Sequence, residues 1–259
     1  MSQTADLTRL AGLWRGARSP LVFTGAGVST QSGIPDYRSP GGQWTRIDPP
    51  TFGEFRAGET GRRRYWRYYQ EFFPVIGRAR PNPGHLALAR LAAAGRLAGV
   101  VTQNIDGLHQ AAGLAADQVW ELHGNAAVSA CLDCGRHQAP TAELLERFER
   151  EGQAPLCPLC GGALKPRTIS FGQNLDEAVL EGAAQACATA DLLLVVGSSL
   201  VVTPAASLPG LCLEAGGRLA IVNLSPTHLD EQATVLIRAG AAETLAALAD
   251  LVLGPEDQA

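Results

Sequence analysis

The 259-residue chain sets 21 Lys and Arg against 25 Asp and Glu, a formal net charge of −4, and is 46% hydrophobic and 18% charged. These proportions fit a globular protein with a sizeable core, and no global positive field draws the chain to nucleic acid or to an anionic membrane. No apolar run approaches the ~18 residues that span a bilayer, and the N-terminal MSQTADLTRLAGLWRG lacks the apolar core of a secretory signal. A cytoplasmic monomer without membrane or nucleic-acid partners is expected, built as one main domain with a smaller insertion.

The first apolar run, Leu21-Val22-Phe23, leads into Thr24-Gly25-Ala26-Gly27-Val28-Ser29-Thr30. Glycines directly after a strand let the backbone approach a pyrophosphate closely. Thr30 stands where the third glycine of GxGxxG would be, so this signal alone is weak. Residues 28–82, rich in Gly, Pro, Arg and aromatics, interrupt any strand–helix alternation and read as a long loop followed by a helical insertion. Within them the cluster Arg62 to Arg67 reads as a solvated helix face.

A helical pattern over Gly84–Ala94 precedes Gly99-Val100-Val101, which leads into Thr102-Gln103-Asn104. Gln118-Val119-Trp120 leads into Glu121-Leu122-His123-Gly124. After a break at 126–166, helical patterns over Leu175–Ala190, Ala205–Ala215 and Ala241–Leu251 alternate with three more apolar runs. These are Leu192 to Val196 before Gly197-Ser198-Ser199, Leu219 to Val222 before Asn223-Leu224-Ser225, and Val235 to Ile237 before Arg238-Ala239-Gly240. Short apolar strands alternating with helices predict an α/β fold, a doubly wound, Rossmann-like parallel sheet covered on both faces. Ligands bind such sheets beyond the carboxyl ends of the strands, and here those ends carry glycines, small hydroxyls, amides and His123.

The break holds Cys131-Leu-Asp-Cys134 and Cys157-Pro-Leu-Cys160, 22 residues apart, each followed by a glycine. Two such pairs aim four thiolates at one point and predict one structural zinc with no open position. Cys187 and Cys212 stand alone in apolar patterns and read as core fillers, and His137 as a surface residue.

Taken in order, GAGVST, GIPDYRS, Thr102-Gln103-Asn104-Ile105-Asp106-Gly107-Leu108-His109, Glu121-Leu122-His123-Gly124, the paired CxxC motifs, Phe171-Gly172, Gly197-Ser198-Ser199 and Asn223 resemble the sirtuin family, from about residue 15 to 251. The resemblance implies NAD-dependent removal of acyl groups from protein lysine, with release of nicotinamide and O-acyl-ADP-ribose. It implies an NAD-binding domain over 1–40, 83–125 and 167–254, a helical or loop insertion over 41–82, a zinc ribbon over 126–166 and a tail over 255–259. His123 is then the general base, which a near-neutral imidazole suits, and Asn104 joins it in catalysis. Asn104 and Asp106 are expected to order water and hold the nicotinamide carboxamide beside Ile105, and Gln103 to meet the ribose hydroxyls. The cofactor set further takes in Gly25, Ala26, Gly27, Thr30, Asp36, Tyr37, Arg38, Gly197, Ser198, Ser199, Asn223, Leu224, Ser225 and, through its backbone, Ala241. Residues 168–173 correspond to the segment that pairs with substrate backbone, with Ile169, Phe171 and Gly172 at the acyl-lysine tunnel. Gln173 departs from the family's acidic residue there. His85 and His109 read as structural hydrogen bonders.

Family members that remove acidic acyl groups carry a Tyr-x-x-Arg pair upstream of PNxGH. Here Tyr68-Tyr69-Gln70-Glu71-Phe72-Phe73 offers no Arg at that place, and an acyl carboxylate buried without a partner is costly. Neutral acyl groups, acetyl first, are expected, and Gly41-Gly42-Gln43-Trp44-Thr45 leaves the acyl length open. Two alternatives stand beside this reading: mono-ADP-ribosyl transfer to protein at the same site, and a zinc-ribbon binding module with a vestigial nucleotide fold.

Overall fold

The computed structural model describes residues 3–36 and 48–254. Helix α1 (Gln3–Gly16), for which no sequence pattern is identified above, buries Leu10, Ala11 and Trp14. The Trp14 indole donates to the Arg96 carbonyl at 2.7 Å, fastening α1 to the body. All six apolar runs form strands: β1 (Pro20–Thr24), β2 (Gly99–Thr102), β3 (Val119–Glu121), then β7 (Leu192–Val196), β8 (Arg218–Val222) and β9 (Val235–Ile237), with β4–β6 lying between them in the chain. The sheet order is β3-β2-β1-β7-β8-β9 and every pairing is parallel. The chain winds outward from β1 in one direction and then restarts beside it, which places the topological switch between β1 and β7.

Alternate residues of each strand feed two separate cores, as a strand's period of two requires. Val22, Val100, Leu192, Leu194 and Ala220 pack with α1, α4 (Pro83–Ala93) and α9 (Ala241–Leu253). Leu21, Phe23, Leu193, Val195 and Ile221 pack on the other face, against α7 (Glu177–Thr189) and α8 (Leu208–Glu214). Cys187 and Cys212 lie fully buried in that second core. The pattern expected as one helix over Ala205–Ala215 splits into a 3-10 turn (Ala205–Ser207) and α8, where Pro209, lacking an N–H, fits the first helical turn. Helix α4 starts at Asn82, whose side chain accepts from the Gly84 and His85 amides and donates to the Val28 carbonyl at 2.7 Å.

The remaining elements form a second lobe. Strands β4 (Gly124–Cys131), β5 (Gln138–Pro140) and β6 (Leu164–Thr168) make an antiparallel sheet in the order β5-β4-β6, with α6 (Thr141–Glu151) beside it. Helices α2 (Phe52–Arg56) and α3 (Glu59–Arg78) complete the lobe, and the short α5 (Leu108–Ala111) follows β2. On α3, Tyr65, Trp66, Tyr69, Phe72 and Ile76 recur at helical spacing and are buried. Arg63, Arg64 and Arg67 lie on the exposed side, so the basic cluster is a solvated face. Trp66 packs on Phe148 of α6, and the helical segment shares one continuous core with the cysteine module through Leu144, Leu145, Leu164 and Cys157. The two segments that interrupt the alternation therefore fold against each other. Lys165, the single lysine of the sequence, is 1% exposed within β6.

Candidate active site

A cleft of about 1030 Å³ runs between the lobes at the carboxyl ends of the strands, at the upper end of the ~300–1,000 Å³ usual for ligand sites. Its floor is the switch point. The Gly25 amide donates to the Val196 carbonyl at 3.0 Å and the Gly27 amide to the Gly197 carbonyl at 2.9 Å. A Cβ on Gly25 would lie 2.7 Å from the Gly197 oxygen, and one on Gly27 would lie 2.7 Å from the Gly197 Cα. Gly197 itself has φ +61°, where a side chain is strained. Only glycines permit this approach of two loops, and the cradle they leave suits a pyrophosphate.

Gly25, Ala26, Gly27, Thr30, Asp36, Gln103, Asn104, Ile105, His123, Ile169, Phe171, Gly172, Gly197, Ser198, Ser199, Asn223, Leu224, Ser225 and Ala241 all line this cleft. Asp106 does not; it borders a small adjoining cavity of about 10 Å³ with Ser29, Ile34, Asn104 and Ile105. Tyr37, Arg38 and the stretch 41–45 lie outside the described residues.

His123 sits where the chain leaves β3 of the large sheet and enters β4 of the small one, and the Ile169 amide donates to its carbonyl at 2.9 Å. Its Nδ1 lies 2.9 Å from the Gln103 carbonyl. A carbonyl only accepts, so Nδ1 carries the hydrogen and Nε2 is left as the basic nitrogen. Burial lowers the His123 pKa from its ordinary value, and the hydrogen bond to Gln103 offsets this in part. The Gln103 side chain in turn donates to the Ser198 hydroxyl at 2.7 Å, tying β2's end to the loop after β7.

Behind the cleft lies a polar cluster centred on Ser29, which the sequence reading left out of the site. Its hydroxyl donates to the Asp106 carboxylate at 2.7 Å and accepts from the Asn104 side-chain amide at 3.0 Å. His85 Nδ1 accepts from the Asn82 amide at 3.3 Å, which leaves its Nε2–H to face Ser29 at 3.4 Å. His109 Nε2 meets the Thr24 hydroxyl at 2.9 Å, and its ring stands 5.0 Å from that of His85. Burial first, then the neighbouring His85, pushes the His109 pKa down to about 3. Both histidines make the structural hydrogen bonds expected of them. The signal for Ser29 was its place in GAGVST, one turn past the strand end.

The segment after β6 is not a strand. Phe171 and Gly172 form a turn, with Gly172 at φ +82°. The Phe171 carbonyl accepts from the Phe52 amide at 2.9 Å, so the turn is held from α2.

In the second lobe Cys131, Cys134, Cys157 and Cys160 bring their sulfurs within 4.8 Å of one another. Cys131 and Cys160 sulfurs are 3.6 Å apart and those of Cys134 and Cys157 3.8 Å. Zinc–sulfur bonds of ~2.3 Å in a tetrahedron set sulfurs ~3.8 Å apart, so the quartet fits one zinc ion. The Cys134 and Gly162 amides point at the Cys131 and Cys160 sulfurs, at 3.5 and 3.4 Å, as suits thiolates. Gly135 and Gly161, at φ +64° and +73°, make the turns that close each pair. Among the described residues no helix is long and apolar enough to cross a membrane.

Comparison with known proteins gives one consistent result. The model of the Sir2 family matches residues 25–204. The chain is 43% identical over 245 residues to the NAD-dependent protein deacetylase of Rhodopseudomonas palustris, covering 94% of this chain and 96% of that protein. It is 45% identical over 237 residues to the NAD-dependent protein deacetylase of Caldivirga maquilingensis, covering 92% and 88%. Among solved structures it is similar to a complex of Sir2 with a p53 peptide and NAD+, with a TM-score of 0.83, 36% identity and 92% and 94% of the two chains covered. It is also similar to Sir2Tm bound to a propionylated peptide, with a TM-score of 0.82, 34% identity and 92% and 94% coverage. Such agreement over nearly the whole length has one meaning: the chain belongs to the Sir2 family.

Proposed function

We propose that this chain is an NAD-dependent protein-lysine deacylase that acts on neutral acyl groups and releases nicotinamide and O-acyl-ADP-ribose. The observation that carries the proposal is His123 Nε2, the one imidazole nitrogen left basic among the described residues of the cleft, above the glycine cradle of the switch point. NAD, when bound, supplies an electrophilic ribose carbon and a nicotinamide leaving group. The displacement at that carbon by the acyl oxygen needs positioning and charge stabilisation more than a protein nucleophile.

Each part of the site takes a share in this reading. The Gly25–Gly27 backbone approaches the pyrophosphate, with Thr30, Gly197, Ser198 and Ser199 around it. Gln103 orients a ribose through its bond with Ser198. Asn223, Leu224, Ser225 and Ala241 take the adenosine end. Arg238 fixes that loop, donating to the Ser225 and Asn223 carbonyls at 2.7 and 3.2 Å. Asn104, Ile105 and Asp106, locked through Ser29, hold the carboxamide and a water. With NAD bound, His123 Nε2 would serve as the base that accepts the proton of a ribose hydroxyl. Ile169, Phe171 and Gly172 border the acyl-lysine, and its backbone pairs along 168–173 through main-chain bonds.

None of the described cleft-lining side chains is Lys or Arg, which supports neutral acyl groups. One zinc ion held by the four cysteines braces the second lobe, and reduced thiolates suit a cytoplasmic location. Neither protein ADP-ribosylation nor a bare binding module is favoured by a feature of the site or by the relatives. Mass spectrometry of an acetyl-lysine peptide with and without NAD tests the proposal. O-acetyl-ADP-ribose and free lysine appear only with NAD; an unchanged peptide overturns the reading.

A further inference from the structure

At the adenosine end of the cleft the last two strands of the large sheet finish level, with Val222 of β8 in register with Ile237 of β9. The next residue of each strand is Asn223 and Arg238, and both bind one carbonyl. The Ser225 carbonyl accepts from the Asn223 side-chain amide at 2.8 Å and from Arg238 Nη1 at 2.7 Å. A carbonyl only accepts, so the Asn223 carboxamide is turned with Nδ2 toward Ser225 and Oδ1 away from it. Among the described residues no group donates to that oxygen, and Asn223 lines the cleft.

Arg238 is the only lysine or arginine between Val222 and Gly254, yet it does not line the cleft. Nη1 also donates to the Asn223 carbonyl at 3.2 Å, and Nη2 donates to the Asp230 carboxylate. Asp230 is held in turn, accepting from the Thr227 hydroxyl at 2.8 Å and from the Thr227 amide at 3.1 Å. The arginine therefore lies behind the loop with its charge matched by a carboxylate. In dinucleotide sites an arginine beside the adenosine ribose is the group that accommodates a 2′-phosphate. Here that group is committed elsewhere, and the loop offers a bare acceptor. A ribose hydroxyl brings the hydrogen that Asn223 Oδ1 lacks. A phosphate brings lone pairs to a lone pair, and its charge meets no uncommitted arginine.

Resting on the deacylase reading above, we propose that Asp230 is a positioning residue that sets cofactor choice. By holding Arg238 against the Asn223–Ser225 loop, it presents Asn223 Oδ1 to the adenosine 2′-hydroxyl and keeps the arginine from a 2′-phosphate. The site then takes NAD and rejects NADP.

Calorimetric titration with each dinucleotide tests this through the ratio of the two Kd values. The wild-type protein is expected to bind NAD at least about tenfold tighter than NADP. NAD lacking the adenosine 2′-hydroxyl is expected to bind about two- to tenfold more weakly than NAD. Asp230→Asn and Asp230→Ala, each checked for an intact thermal transition, unmask the arginine and are expected to narrow the NADP-to-NAD ratio about threefold or more. Adding Arg238→Met to either is expected to widen it again. A merely structural role for Asp230 weakens both dinucleotides alike and leaves the ratio where it was. Equal wild-type affinities, full affinity for the 2′-deoxy cofactor, a ratio unmoved in both single variants, or a narrowed ratio that survives loss of the arginine each overturn the inference. Those outcomes leave deacylation standing. Failure of the wild-type protein to bind either dinucleotide removes the underlying reading and this inference together.

Discussion

The main-chain carbonyl of Gln103 decides which nitrogen of His123 is the base. Because Nδ1–H is spent on that carbonyl at 2.9 Å, Nε2 is basic whenever the ring is neutral. Burial lowers the ring's pKa, so the neutral form persists to more acidic pH than the ordinary value of 6.5. The kcat/KM profile for deacetylation is expected to hold flat through pH 7 and to fall only below about 6.5. His123→Ala is expected to lose at least a hundredfold of that activity. An acid limb centred above 6.5, or a variant with full activity, contradicts the assigned role.

Gly25→Ala places a methyl group 2.7 Å from the Gly197 oxygen and 2.8 Å from the Ser198 Cβ, both part of the packed switch point. The loops must part to accept it, which disturbs the cradle rather than the distant acyl side. The KM for NAD is expected to rise tenfold or more while the KM for acyl-peptide changes little. Steady-state kinetics in both substrates reads this split, and an unchanged KM for NAD counts against the cradle.

Ser29→Ala removes the donor to Asp106 and the acceptor of Asn104 at one stroke. Buried groups left unpaired cost about 1–3 kcal/mol. A lower urea midpoint is expected, together with a kcat loss that the midpoint shift does not explain. Activity at the wild-type level makes Ser29 a bystander.

Metal content offers a separate check on the second lobe. Emission spectrometry is expected to find one zinc ion per chain. Chelation at elevated temperature, or Cys131→Ala, is expected to lower the thermal midpoint, because the quartet and the Trp66–Phe148 core belong to one cluster. Full stability without metal argues against the assignment.

Acid stability follows from the buried histidines. His85, His109 and His123 all have pKa values lowered by burial, His109 to about 3. Unfolded, each binds a proton below about 6.5 that the folded chain refuses, so the stability they contribute is present above 6.5 and is lost as pH falls. Glu121, raised by burial, acts in the opposite sense near pH 4.5 and above. With three groups against one, the urea midpoint is expected to drop from pH 7.5 to pH 5.5. A midpoint that rises on acidification refutes the balance.

The parallel sheet was legible because each strand is a short apolar run that ends in glycine or small polar residues. Both faces are covered, so no alternation blurs Leu192 to Val196. The cysteine quartet was legible from spacing alone. Long-range partnerships were not. Nothing local announces that Trp66 meets Phe148, that Gly124 registers with Thr168, or that Ser29 bridges Asp106 and Asn104. Each depends on residues brought together from 44 to 82 positions apart. Helix α1 went unread because its apolar positions, Leu10, Ala11 and Trp14, make only a narrow stripe.

Lys165 has one more consequence. It is the chain's solitary lysine, sealed at 1% exposure, with its ammonium committed to the carbonyls of Pro166 and Thr168. In the folded state, then, the protein displays no ε-amine of its own. Acetic anhydride and acyl phosphates find no side chain of that kind to decorate, and the catalyst does not compete with its clients for its own pocket.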